Sequence, residues 1–400
     1  MSKSTIDKSH FITGNFMMKL SEKLGFNLFY WDKHFKNALD LMQHVGVKYA
    51  RPYWDFQSYE MSDDALAWHW RDDVIEQIVT RGLTPVLSFS AGEITDDRSW
   101  VDETRSYFSA REIEQFKNFV TQIIERYKQY DIIYEAWNEA NGSFWVRSWD
   151  DAQNDENVIR SYIEFNNFIG QQVKKIAPNS KFCNLNSVYY PEMHLPQQEK
   201  KLSKVMNILS DNLAETDYIS FHPYPLKEVD SGLPEVLMRD GKLSKLAIPL
   251  MYTELGYPIK SSWQGEWNVT RSADNIVRQI LISDSIGVEA IIPYTLRTEQ
   301  DHSLAEDLNG QFTLNNIGKA IFDLIAELGE YEFSQKIDTG LHTDFVDDLY
   351  VFEYRKGNEL KIAYWCTMYP VKKQIKWRDY TPELIFDTKV QFLDYEDLAN

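Results

Sequence analysis

Two short runs could do chemistry together. Tyr134-Glu135-Ala136-Trp137-Asn138-Glu139 and Met251-Tyr252-Thr253-Glu254-Leu255-Gly256 each carry a glutamate just past an apolar, β-like stretch. Two carboxyl groups about 5 Å apart suit a double displacement at an acetal carbon: one, ionised, attacks the carbon, and the other, protonated, hands its proton to the leaving oxygen. A single environment cannot favour both states, so the neighbours must push the two groups in opposite directions.

The elements that must position them are legible as an alternation. From about Phe26 to Gly329, short apolar runs alternate with amphipathic helices, which predicts a parallel sheet. The strand candidates are Phe26 to Phe29, Val47 to Ala50, Thr84 to Phe89, Ile132 to Ala136, Lys181 to Asn184, Tyr218 to Phe221, Pro249 to Thr253 and Val288 to Pro293. Eight such units are one turn of a (β/α)8 TIM barrel, an α/β fold. Between them, Phe35, Leu39, Met42 and Val45 form a helical stripe that stops at Gly46, and Val74, Ile75, Ile78 and Val79 form one that stops at Gly82. Ser109-Ala110-Arg111-Glu112 reads as a capping box for the helix that follows. After Gly329 the period changes to two: Leu349 to Arg355 and Leu360 to Trp365 alternate apolar with polar around Lys356-Gly357-Asn358, a β-hairpin signal. The expected organisation is therefore a barrel over residues 1–330 and a small β domain over 331–400 packed on it.

Active groups of a barrel sit at the C-terminal ends of its strands. Reading those positions gives Arg51 after the second strand, Asn138 and Glu139 after the fourth, His222 and Tyr224 after the sixth, Glu254 after the seventh and Tyr294 after the eighth. Arg51 and Tyr224 could hold Glu254 ionised, while His222 and an apolar wall around Trp137 could keep Glu139 protonated. Asn138 would bond a sugar 2-hydroxyl. Each has a plainer alternative: a solvated rim glutamate, a structural ion pair for Arg51, a loop-shaping role for His222. Their shared end of the barrel favours the joint reading. Trp54, Trp145, Trp263 and Trp267 fall in loops on the same face, as stacking platforms for sugar rings or as loop anchors.

Composition narrows the partners. The 400 residues carry a formal charge of -19, which argues against nucleic acid and anionic membranes. Aromatics at 14% supply material for either a core or sugar-stacking surfaces. Met1 to Phe11 lacks the apolar core of a secretory leader, and no later run is long enough for a membrane span. The expected address is the cytoplasm, or outside the cell if a leader was removed. Cys183 and Cys366 read as two buried thiols. Without a phosphate-type glycine loop, a His-Glu-x-x-His run or a Cys/His cluster, no cofactor and no metal is expected.

Trp-Asn-Glu after the fourth strand, His-Pro-Tyr after the sixth and Thr-Glu after the seventh resemble the clan A glycoside hydrolases. Gly46-Val47-Lys48-Tyr49-Ala50-Arg51, Gly82 to Phe89, Glu135 to Asn141 with Phe144-Trp145, and Asp217 to Tyr224 are most similar to glycoside hydrolase family 39, the β-xylosidases and α-iduronidases. The resemblance spans about Gly25 to Gly329. It implies a retaining, metal-free enzyme with Glu139 as acid/base and Glu254 as nucleophile, and a small C-terminal β-sandwich-like domain to which N-terminal residues could add a strand; with the charge of -19 disfavouring a polyanion, the expected substrate is a β-linked neutral oligo- or polysaccharide. Two departures concern the sugar: Pro52-Tyr53 stands where the β-xylosidases have Gly-His, and Pro293-Tyr294-Thr295 replaces Tyr-Trp. Two other readings share the scaffold, a transglycosidase using the same covalent intermediate and an inactive carbohydrate-binding protein.

Overall fold

The computed structural model describes residues 18–29, 34–55, 65–90, 110–139, 156–189, 212–224, 248–257, 269–296, 302–340, 349–367 and 369–398. Eight parallel strands form one sheet whose order follows the chain. They are β1 (Gly25–Leu28), β2 (Tyr49–Asp55), β3 (Thr84–Ser90), β4 (Ile133–Ala136), β5 (Lys181–Tyr189), β6 (Tyr218–Pro223), β7 (Leu250–Tyr252) and β8 (Ala290–Ile291). A parallel bridge from Leu24 to Ile291 brings the last strand back to the first, and the Asn27 amide donates to the Pro293 carbonyl at 3.1 Å. The ring is a (β/α)8 barrel, and every strand expected from the sequence is present.

Helices α1 (Phe35–Val45), α2 (Ala65–Thr80), α3 (Ala110–Tyr127), α4 (Glu156–Ile176) and α5 (Val269–Ser285) surround it, and α6 (Asn316–Leu328) follows β8. Their apolar stripes face the strands: Leu39, Met42, Ile75, Ile78, Phe119 and Ile123 are fully buried. α1 ends where expected, on Gly46 at φ 85, whose amide donates back to the Met42 carbonyl. α6 is capped by the Asn315 side chain, which accepts from the amides of Ile317 and Gly318. Ser109 of the expected capping box lies outside the described residues.

Inside the barrel, Val86, Ile133, Cys183, Met251, Ala290 and Ile292 pack into a separate apolar floor, flanked by Tyr49 and Tyr218. Strand side chains alternate with period two. Two residues beyond this floor the same inward face therefore carries Arg51, Ser88, Glu135, Ser220 and Thr253, and two beyond Ser220 it carries His222. All of these are buried. The sequence thus builds an apolar base with a polar layer directly above it, at the C-terminal mouth.

Two features depart from expectation. Between β8 and α6 the chain forms an antiparallel hairpin, β9 (Ala305–Leu308) and β10 (Gln311–Leu314), around Asn309-Gly310 at φ 56 and 91. Such a turn needs φ above zero at both central positions, which Asn-Gly tolerates. The second feature lies in the C-terminal sheet β11 (Glu332–Lys336), β12 (Leu349–Lys356), β13 (Glu359–Cys366) and β16 (Gln391–Asp394). Its central strands have no solvated face, although period-two alternation predicts one. Tyr350, Phe352, Tyr354 and Trp365 join the main core, while Leu349, Val351, Ile362 and Tyr364 pack on Ile375, Trp377, Leu384 and Phe386 around the small β14–β15 hairpin (Val371–Gln374 and Glu383–Phe386). Tyrosine and tryptophan fill both sides, so the pattern looks half-polar while the strand is enclosed. Lys19 forms an antiparallel bridge with Glu332 on the β11 edge. Cys183 and Cys366 are free and buried. Among the described residues, no helix is long and apolar enough to cross a membrane.

Candidate active site

Arg51 organises the polar layer. Its guanidinium, fully buried, donates four hydrogen bonds to described residues: Nε to Glu135 Oε2 at 2.7 Å, Nη1 to Asn27 Oδ1 at 2.8 Å and to Glu254 Oε1 at 2.6 Å, and Nη2 to Asn138 Oδ1 at 3.0 Å. A planar fork with fixed donors is suited to tying β1, β2, β4 and the end of β7 together in this way. Asn27 in turn donates its amide to the carbonyls of Thr253 and Ile292.

Glu254 receives a second donor. The Tyr224 hydroxyl gives its proton to Glu254 Oε2 at 2.8 Å, so each carboxylate oxygen accepts a bond and one of them faces a cation. Both contacts favour the ionised form.

Glu139 sits in a different environment. Its Oε1 lies 2.9 Å from His222 Nδ1, and its backbone amide donates to Asn186 Oδ1 at 2.7 Å. Burial pushes its carboxyl up from the ordinary value, against the pull of a proton or charge on His222 and of the Arg51 charge, and the negative charge of Glu254 adds to the rise. Whether His222 itself keeps Glu139 protonated depends on which ring nitrogen carries hydrogen. A protonated Nδ1 favours the carboxylate; a bare Nδ1 favours the acid. Trp137, expected as an apolar wall beside this group, sets its ring edge-on against Phe116 and Phe165 of α3 and α4.

One oxygen of Glu139, one of Glu254 and a ring nitrogen of His222 lie within 4.8 Å of one another. Such a trio could also ligate a divalent cation. Arg51 and Tyr224 each bond one oxygen of Glu254, and the Arg51 charge beside that oxygen opposes a second cation there.

The backbone around Glu139 is unusual. Trp137 and Glu139 adopt φ 64 and 47, and Leu185 and Asn186 on the facing strand adopt φ 79 and 27, all in the left-handed region that non-glycine residues avoid. A bond from Ser88 Oγ to the Trp137 carbonyl at 2.8 Å and the Asn186–Glu139 contact hold this turn. Gly256 permits the close approach of the strand-eight loop, since a Cβ there would lie 2.8 Å from the Tyr294 carbonyl oxygen. Tyr294 is half-buried and joins Tyr224 through the ring of His302, with centroids 6.3 and 6.0 Å away respectively.

Arg51, Asn138, Glu139, His222, Tyr224 and Glu254 therefore converge, with Tyr294 beside them. Tyr53 and Trp54 lie on β2, with side chains outside the described residues, and Trp145, Trp263 and Trp267 lie outside them altogether. Five participants were not singled out from sequence: Asn27, Glu135, Asn186, Ser220 and Thr253. Four of these were detectable as polar residues at period-two positions of otherwise apolar strands; Asn186 sits where the β5–β6 register slips, and no simple periodicity reaches it.

No protein-family model matches the chain, and no curated protein does. Solved structures do. A family 39 glycoside hydrolase from the gut symbiont Bacteroides cellulosilyticus is similar over 94% of this chain and 81% of its own, with TM-score 0.64 and 14% identity. A family 30 endoxylanase from Clostridium papyrosolvens is similar over 94% of both chains, with TM-score 0.58 and 12% identity. A family 1 β-glucosidase from Thermotoga maritima matches over 77% of this chain and 98% of its own, at 0.54 and 10%. At such identities the likeness establishes the fold.

Proposed function

We propose that the chain is a retaining β-glycosidase acting on a neutral oligo- or polysaccharide, with Glu254 as nucleophile and Glu139 as acid/base. The observation that carries this reading is the approach of the two carboxylates to within 4.8 Å, in opposed environments. An inverting pair needs about 6.5–9.5 Å, to admit a water between the second carboxylate and the sugar. Residues 1–330 supply the catalytic unit and 331–400 an accessory β domain. Asn138 offers its amide to the sugar 2-hydroxyl, and Tyr53, Trp54, Trp145 and Tyr294 are the residues offered to sugar rings.

In the first step the ionised Glu254 oxygen bonds to the anomeric carbon as the bond to the leaving oxygen breaks, and Glu139 gives that oxygen its proton. Water then adds with Glu139 taking its proton, and the ester to Glu254 is released. Glu254→Ala should abolish turnover of aryl β-glycosides, and azide should restore part of it with a glycosyl azide of inverted configuration. Proton NMR of the wild-type reaction should show the β-anomer first. Near wild-type hydrolysis by Glu254→Gln, or an α-anomer as first product, would overturn the proposal.

A further inference from the structure

Three buried side chains make no bond to either carboxylate of the pair. Glu135, Ser220 and Thr253 nonetheless form one hydrogen-bonded run that ends on His222. Ser220 Oγ lies 2.6 Å from Glu135 Oε1 and 2.6 Å from Thr253 Oγ1, and Thr253 Oγ1 lies 3.0 Å from His222 Nε2. The other side of the ring, Nδ1, faces Glu139.

We propose that Glu135, Ser220 and Thr253 are positioning residues that fix the His222 proton on Nε2, so that Nδ1 presents a lone pair to Glu139 and holds that carboxyl as an acid. Counting hydrogens gives the direction. The Arg51 guanidinium donates to Glu135 at 2.7 Å, and in that ion pair the Glu135 carboxylate oxygens act as acceptors. Ser220 has a single hydroxyl hydrogen, and Glu135 takes it. The Ser220–Thr253 contact then needs the Thr253 hydrogen. With that hydrogen spent, the Thr253 oxygen can only accept from the ring, so His222 Nε2 carries hydrogen. A neutral ring so protonated has a bare Nδ1, and the 2.9 Å contact with Glu139 Oε1 requires the proton to lie between them, on the carboxyl in the neutral pair. An ionised Glu139 facing a bare nitrogen would set two lone pairs against each other.

The inference rests on the glycosidase reading for what the acid does, but the tautomer does not. The charged and titratable groups facing this unit are Glu139 and Glu135 from β4 and its end, Glu254 at 3.7 Å from Nδ1, Arg51 from β2, and the Cys183 thiol beside Ser220. The Tyr224 ring meets that of His222 edge-on. Apart from the Glu139 carboxyl, none of these groups is placed to give hydrogen to Nδ1.

Thr253→Val removes the acceptor for Nε2 and keeps the backbone carbonyl that Asn27 uses. Ser220→Ala reaches the same end by another route, since the Thr253 hydrogen loses its acceptor and turns to Nε2. In both variants the ring hydrogen should move to Nδ1 and donate to an ionised Glu139. Nitrogen-15 NMR of the imidazoles, with His222 assigned by its loss in His222→Asn, should report the Nε2-protonated tautomer in the wild type and the Nδ1-protonated one in the variants. The alkaline limb of kcat/KM should shift to lower pH. kcat on alkyl glycosides, which need the acid, should fall about 10-fold or more, a part of the ~10²–10⁴ that general acid catalysis supplies, while kcat on dinitrophenyl glycosides changes little. Thr253→Ser should restore the wild-type values. A wild-type ring protonated on Nδ1, or variants with an unmoved tautomer and pH profile, would overturn the proposal. A wild-type protein that cleaves no glycoside would sink the glycosidase reading instead, and leave the tautomer to decide this one.

Discussion

Replacing Arg51 by methionine should separate what its guanidinium does for the fold from what it does for Glu254. The side chain is fully buried and contacts two buried carboxylates, at 2.7 Å to Glu135 and 2.6 Å to Glu254. Without it, Glu135 keeps Ser220 as a hydrogen-bond donor and loses its cation. Breaking one buried pair by removing a partner costs about 3–5 kcal/mol, because the orphaned charge stays in a medium that does not solvate it. Glu254 suffers less, since the Tyr224 hydroxyl remains bonded to it. The unfolding midpoint in urea should fall accordingly, and turnover should be lost. In Arg51→Met/Glu135→Gln the orphaned charge is gone, so about half or more of the lost stability should return while turnover stays absent, because Glu254 still lacks its cation. Arg51→Lys should rescue neither fully: four acceptors spread across a fork exceed the reach of one ammonium. A single variant as stable as the wild type, or a double variant no more stable than the single one, would refute the reasoning.

Two further outcomes follow. Burial pushes the Glu353 carboxyl up, but bonds from Arg378, Trp377 and Ser334 outweigh it and hold the group at about 2, against an ordinary 4.5; its contribution to stability is complete above the ordinary value and is lost as pH falls toward 2. Thermal unfolding from pH 7 to 2 should therefore show Glu353→Gln weaker than wild type at neutral pH, and the gap closing in acid; a constant gap would refute this. The charge of Glu254 raises the Glu139 carboxyl, so esterifying Glu254 with a 2-fluoro glycoside should lower the Glu139 titration followed by carbon-13 NMR, and an unmoved titration would argue against electrostatic coupling.

The barrel was legible because each of its strands is a short apolar run between helical stripes, and the strand-end rule then located Arg51, Asn138, Glu139, His222, Tyr224 and Glu254. What escaped was one layer further in. Glu135, Ser220 and Thr253 read as polar interruptions of apolar strands until the floor formed by Ile133, Met251 and its neighbours is known; period two then turns all three inward. Asn186 escaped for a different reason, because the left-handed backbone at Leu185 and Asn186 shifts the register that any periodic argument assumes. The hairpin at Asn309-Gly310 was hidden by flanking strands of four residues each, one of them carrying Glu306 and Asp307. The enclosed faces of β12 and β13 depend on what packs against them, and a strand's own sequence does not contain its neighbours.

The polar layer also accounts for the division of labour proposed for the two carboxyls. Glu135, Glu139 and Glu254 share a buried volume whose cation is Arg51, and Arg51 contacts Glu135 and Glu254 but makes no hydrogen bond to Glu139. One cation cannot balance three buried carboxylates, so the proton that the site must hold falls to the group the guanidinium does not touch. Glu135, which takes no part in bond making, is thus what makes the arrangement asymmetric. It takes the Nε hydrogen of Arg51, and through Ser220 and Thr253 it orders the hydrogens proposed to reach His222. In the proposed mechanism acid and nucleophile differ because a third buried carboxylate, Glu135, shares the Arg51 guanidinium with Glu254, while Glu139 forms no hydrogen bond with it.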